Sequence, residues 1–371
     1  MMRFTPVAAA VASYLALAVS PALCAGAVSV DDTARYLAGM PPSANSPLAP
    51  LTKSAHWQQH ARTMDRAFAQ VEKGTLAPIR EWSAAHLSSP QKAMFYMFSG
   101  PDFLFGDAFF PKASTYVLAA LEPVGDIPDV LKQQRHGETV GLGQLQTAMR
   151  TLLSISFFIT KEMREDISES SLRGTIPVLY VFLARSGKQV RSTSLVYIDA
   201  QGDVHPEVKN AKSGAHGVKI VFAGADGIER TLYYFTTNLD NTGARTGGFL
   251  KFLDNLGPAD SFHKSASYLM HKNEFSRIRD FIVANSATVV QDDSGIPIRY
   301  FDAKAWQLRP FGRYLEPLDI FPEGRQPKIR ELFEKSSAGK LNFGLGYRWR
   351  PGESNLLLAV RRPSAEKAEN K

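Results

Sequence analysis

The chain has 371 residues, a formal net charge of +7 and 44% hydrophobic residues, with one cysteine, Cys24. That much apolar material can build a hydrophobic core without disulfides, and one thiol excludes a disulfide framework or a thiolate metal site. The basic residues are scattered, and no basic-plus-aromatic stripe marks a nucleic-acid binder.

Residues 1–27 read as a cleavable secretory signal. Arg3 is the only charge before Asp31, an apolar run extends from Val7 to Val19, and Ala25-Gly26-Ala27 has the small-x-small pattern of a cleavage site. The run is too short and alanine-rich for a good membrane span. Leu23 before Cys24 argues against lipidation, and cleavage after Ala27 leaves a mature chain without cysteine. The expected location is the periplasm or the exterior, with no transmembrane segment after cleavage. Residues 28–51 read as a linker, with a Pro/Ser-rich stretch over 41–50. One α/β domain is expected over 52–362, with a subdivision near 160 left open and a disordered tail over 363–371.

Trp57, Ala61, Met64, Phe68 and Val71 share one face of a helix that Thr52 or Ser54 can cap, and a second helix is expected over 78–87. Met94–Phe98 and Thr115–Leu121 are short continuous apolar runs, as strands buried on both faces show. Between them Asp102 is placed to cap a short helix ending at Pro111, so this span predicts a parallel βαβ unit. A helix over 141–156 follows. Later segments read mainly as antiparallel hairpins: 176–184 with 190–198, 218–222 with 231–236, 287–291 with 296–301, and 341–348 with 355–360. Helices are expected over 247–256, over 260–285 with a break near His271 to Asn273, and over 326–336. The fold class is therefore α/β: a mixed sheet with an early parallel βαβ unit, then antiparallel hairpins, with N-terminal helices packed on one face.

In open α/β sheets, ligands bind beyond the carboxyl ends of parallel strands. Both early strands end in a Pro/Gly turn carrying a carboxylate, Asp102 in one and Glu122 in the other. Two acids on one edge can bind a divalent cation or divide general acid and base roles, although Asp102 can also simply cap its helix. Asp292 and Asp293 could ligate a metal or orient a histidine, but Asp-Asp-Ser-Gly also suits a turn. His263, Ser267 and His271 are spaced four apart and would share a face of the expected 260–285 helix. That would set a serine one turn from His271 as nucleophile and base. The candidate catalytic residues are thus Asp102, Glu122, His271, Asp292 and Asp293. If Asp102 serves catalysis, Asp102→Asn should spare folding.

Other matches carry less. Ser261-Phe262-His263-Lys264 fits the S-x-x-K signature of penicillin-binding serine enzymes, and Lys212-Ser213-Gly214 resembles its companion triad. The order is wrong and the S-D-N element is missing, so both read as chance. His56 and His60 lack the glutamate of a zinc protease and read as a surface pair. Gly141-Leu142-Gly143 is no dinucleotide fingerprint, and no nucleotide motif occurs. Three functions stay open: an extracytoplasmic hydrolase using strand-end carboxylates, with or without a divalent cation; a non-catalytic binder of a small molecule or of anionic envelope components through a basic surface; and a structural accessory protein.

Overall fold

Residues 93–97 and 115–120 form two buried strands, as their uninterrupted apolar runs predict. They are adjacent and parallel, with Ala93 opposite Thr115 and Met97 opposite Ala119. The computed structural model describes residues 27–135, 140–158, 171–207 and 215–363. The secretory signal and Cys24, the Lys212-Ser213-Gly214 triplet and the C-terminal tail lie, but for Ala27 and Pro363, outside the described residues.

The first half contains α1 (Val30–Leu37), α2 (Ala55–Val71), α3 (Ala77–His86), β1 (Ala93–Met97), α4 (Phe103–Phe109), β2 (Thr115–Ala120), α5 (Val130–Arg135), α6 (Leu142–Ile155) and α7 (Ile176–Arg185). Next come β3 (Gln189–Ile198), β4 (Val204–Pro206), β5 (Ala215–Ala223), β6 (Glu229–Thr236), α8 (Asn241–Thr246), α9 (Phe249–Asn255) and β7 (Ala259–His263). The chain continues through α10 (Ser276–Asn285), β8 (Ser286–Gln291), β9 (Trp306–Gly312), α11 (Pro327–Lys335) and β10 (Asn355–Arg361). The strands make one mixed sheet in the order β4-β3-β5-β6-β2-β1-β7-β8-β10-β9. Its middle, β6-β2-β1-β7-β8, is parallel throughout, and the strands outside it pair antiparallel.

The period-two alternation of strand side chains divides the interior. Met94 and Tyr96 of β1 face one core with the N-terminal helices, which bury Trp57, Met64, Phe68, Ile79 and Trp82. Ala93, Phe95 and Met97 face a second core with Phe249, Phe252 and Leu253 of α9 and Ile278 and Ile282 of α10. A parallel sheet needs this cover on both faces, because its strands are apolar on both. Ser54 caps α2 by accepting from the Trp57 amide at 3.2 Å. The segment 28–51 carries α1, which buries Ala34, Tyr36 and Leu37. Tyr36 O accepts from Trp57 Nε1 at 3.1 Å, and Arg185 Nε donates to Ala38 O at 2.8 Å.

Several expectations fail for identifiable reasons. Residues 176–184 are helix α7, not a strand; the run is buried all round, so periodicity is silent, while Pro177 at the first turn is a helix signal. The expected 260–285 helix is instead β7, an irregular stretch with two short 3₁₀ turns, and α10 from Ser276. β7 was disguised by buried polar residues: Asp260 accepts from the Gln91 amide at 2.7 Å, and the Ser261 and Ser286 hydroxyls lie 2.8 Å apart. β8 has no hairpin partner in 296–301, where residues 298–300 form a 3₁₀ turn; it pairs with β7 and β10. β10 pairs with β8 and with β9, which the sequence pattern does not show, and 341–348 contributes only the isolated bridge of Leu345 with Arg348. His60 is buried rather than superficial, its Nε2 lying 2.8 Å from Leu37 O. No helix of the described residues is long and apolar enough to cross a membrane.

Candidate functional site

The five parallel strands end side by side, and the exits of four of them, β6, β2, β1 and β7, help build one cavity of about 520 Å³. β1 contributes Phe98, Ser99 and Gly100; β2, Leu121 and Glu122; β6, Thr237 and Asn238; and β7, Lys264 and Ser265. The opposite wall comes from distant chain: Phe157 and Phe158 after α6, Ile320 and Phe321 before α11, and Tyr347. The floor is therefore polar and the walls apolar, the usual makeup of a small-molecule site.

Lys264 sits beneath the floor with a side chain only 2% exposed. Its Nζ lies 2.7 Å from Asp102 Oδ2, donates to Ser156 O, and stands 4.2 Å from the centre of the Phe105 ring. Asp102 has two duties. Its Oδ1 accepts from the Phe105 amide at 3.1 Å and so caps α4, while Oδ2 also accepts from Tyr96 Oη at 2.8 Å. Burial pulls the Lys264 ammonium below its ordinary range, with Asp102 and then Asp292 opposing that. Burial, and next the charge of Asp102, holds the Tyr96 phenol well above its ordinary range. A lone buried ammonium would be very costly, so the pair stands or falls together.

Asp292 and Asp293 follow β8 and point to different partners. Asp292 Oδ2 accepts from the Ser265 amide at 2.8 Å, and Oδ1 accepts from the Ser294 amide at 2.9 Å and from its hydroxyl. Asp293 Oδ2 accepts from Tyr268 Oη at 2.7 Å, and Oδ1 from Asn355 Nδ2 at 2.9 Å. Burial raises both carboxyls, and the charge of Asp293 adds to the rise at Asp292. Among the described residues, no group of three or more His, Asp or Glu stands where it could hold a metal ion.

Glu122 lines the cavity and is almost fully buried. Tyr234 Oη donates to its backbone oxygen at 2.9 Å and lies 3.4 Å from Oε2, and Thr236 Oγ1 donates to the same backbone oxygen at 2.6 Å. It is the only carboxylate among the described residues that line the cavity. Asp102 and Asp292 lie just behind, holding Lys264 and Ser265. Asp293 is turned to Tyr268 and Asn355. His271 does not line the cavity; its ring packs 5.1 Å from that of Tyr268, and burial pushes it down to about 4, so it is neutral at pH 7. The helical face expected for His263, Ser267 and His271 does not exist, because His263 ends a strand and the others lie in the irregular stretch after it.

The backbone around the cavity is strained. Six non-glycine residues have positive φ among the described residues. Three of them, Ser265, Ser267 and Tyr268 at 50°, 50° and 52°, occupy one stretch after β7. Phe98 at 59° lines the cavity and Ser156 at 69° receives Lys264. Such conformations persist only where the surroundings enforce them, and they concentrate at functional sites. The Ser265 hydroxyl is buried and has no hydrogen-bond partner among the described residues.

Lys264, Tyr96, Ser265 and Tyr347 were not candidates from sequence. Lys264 surfaced only inside an S-x-x-K match that fails on order. The usable signal would have been a lysine directly after a buried strand, which requires reading 259–263 as one. Comparison with protein-family models, with curated proteins and with solved structures finds no match.

Proposed function

We propose that the protein takes up a small, largely apolar molecule in the cavity at the carboxyl ends of its parallel strands and acts on it there as a hydrolase-type enzyme. One observation carries this reading: the ends of neighbouring parallel strands converge on an apolar-walled cavity whose polar floor includes Glu122 and Ser265. Glu122 is the candidate general base or acid. Lys264, Asp102 and Asp292 act as positioning residues that hold the floor in place.

Leu269 lines the cavity wall, so Leu269→Trp should fill it. The expected result is loss of binding of an apolar fluorescent probe with little change in melting temperature. Equal binding by both proteins would show that the probe sits elsewhere and would remove the reading. A panel of nitrophenyl esters tests the chemistry. Where turnover is found, Glu122→Gln should lower kcat by about 10²–10⁴ while probe binding is kept.

A non-catalytic binder is the second reading. It is favoured by the oxygens of Asp102 and Asp292, which are engaged by protein donors. Probe binding without turnover of any ester would support it. The proposal also places the protein outside the cytoplasm on the strength of residues 1–27. N-terminal sequencing of the mature protein should then begin at Val28.

A further inference from the structure

We infer that the occupant of this cavity is a flexible acyl chain bearing an uncharged polar head such as an ester, an assignment that rests on reading the cavity as a ligand site. The mouth provides the first argument. Four large hydrophobic residues are exposed among the described residues, and two of them, Leu121 at 54% and Ile320 at 73%, line this cavity. Apolar side chains left in water at the rim of an apolar cavity gain from a ligand that runs out over them.

The aromatic walls decide between a chain and a flat ring. Phe98 packs edge-on against Phe275, with centroids 5.7 Å apart and planes at 76°. Phe157 meets Tyr347 at 5.0 Å and 70°, and Tyr347 in turn meets Phe321 at 4.9 Å and 38°. Two of these pairs meet edge-on and the third is tilted, so no two of these rings stand as parallel faces with a planar ligand's width between them. A flexible chain can follow their edges.

The floor decides the head. The Lys264 ammonium is matched by Asp102, so among the described residues lining the cavity no cation is left over for a carboxylate or phosphate head. The Ser265 hydroxyl is buried beside the cavity without a partner among the described residues, and rotation about its Cα–Cβ bond would let it donate to an ester carbonyl. A volume of about 520 Å³ lies within the usual range for sites that enclose one small ligand.

The test titrates the mature chain with methyl esters of six to ten acyl carbons, read by displacement of the apolar probe. Affinity should rise about fourfold per added methylene until the cavity is filled. Ile320→Ser, an exposed and fold-neutral change, should weaken the longer esters more than the shorter ones, and Ser265→Ala should weaken all esters by a similar factor. Probe binding that Leu269→Trp abolishes, combined with flat chain-length dependence, would overturn the acyl assignment while leaving the ligand-site reading standing. Probe binding that Leu269→Trp leaves intact would overturn that reading itself. Tighter binding of the free carboxylate than of its methyl ester would overturn the uncharged head. Competition by a monomeric medium-chain monoacylglycerol would support the acyl chain with membrane lipid as its source; esters binding without such competition would support it with a free ester as source.

Discussion

Asp102 joins three groups that cannot all do without it: the α4 amide at Phe105, the Tyr96 phenol and the Lys264 ammonium. Asparagine could keep the first two hydrogen bonds but would leave the ammonium buried and unmatched. Asp102→Asn is therefore expected to destabilise the fold by about 3–5 kcal/mol, the usual cost of breaking a buried pair from one side. This reverses the expectation that the change would spare folding. Adding Lys264→Met should recover much of the loss, and urea denaturation of the two variants checks both points. Additive destabilisation would mean that the pair is not coupled. Asp260 makes a second prediction at this scale. Burial raises its carboxyl to about 6 from an ordinary 3.8. A carboxyl raised on folding stays protonated in the folded chain after the unfolded chain has ionised. Its contribution to stability is thus present below 3.8 and is lost as pH rises through about 6. The loss amounts to about 3 kcal/mol. Asp260→Asn should flatten that part of the stability profile, and the difference between the two profiles over this window isolates it from other groups; identical slopes would contradict the shift.

At the scale of elements, the stretch after β7 holds the site together. Its three positive-φ residues turn Ser265 and Ser267 toward the cavity, and their conformation is enforced from outside: Asp292 accepts the Ser265 amide, and Tyr347 Oη donates to Ser265 O at 3.0 Å and accepts the Ser267 amide at 3.2 Å. Gly346, with φ at +69°, lets the neighbouring chain close over Asp292; a Cβ there would collide with the Asp292 carboxylate. Gly346→Ala should cost about 2–4 kcal/mol through clash and backbone strain. It should also speed hydrogen exchange at the Ser265 amide, which a purely global effect would not single out. The boundaries of this stretch were hidden in the sequence because β7 is polar where strands are usually apolar. Asp260, Ser261 and His263 are buried by their neighbours and not by their own hydrophobicity, so neither periodicity nor propensity marks them.

Across the molecule, the sheet is covered on both faces, and the N-terminal segment is part of that cover. Tyr36 and Leu37 of α1 are buried, and Val190 at the start of β3 donates to Asp31 Oδ1 at 2.9 Å. Each large side chain buried this way contributes about 1.5–3 kcal/mol. A chain beginning at Thr52 is therefore expected to lose several kcal/mol of stability, measurable by thermal denaturation; unchanged stability would show that α1 is dispensable.

Much of the early chain was readable without coordinates. The stripe of Trp57, Met64, Phe68 and Val71, the Ser54 cap, the two apolar runs of β1 and β2, and Asp102 at the start of α4 are local patterns, set by residues a few positions apart. From these followed the parallel pairing of β1 with β2 and the edge where Asp102 and Glu122 stand, while the mixed α/β class also needed the later hairpins, of which β5 with β6 is present. The partners of β7, β8 and β10, the helical state of α7, and the joining of Lys264 to Asp102 and of Ser265 to Asp292 depend on residues far apart in sequence. Local pattern carries no information about which distant surfaces meet, and a buried polar side chain is tolerable only once its remote partner is in place. For that reason the edge that carries the candidate site was legible in the chain, whereas the cavity, its apolar walls and the buried lysine beneath its floor were decided by tertiary packing.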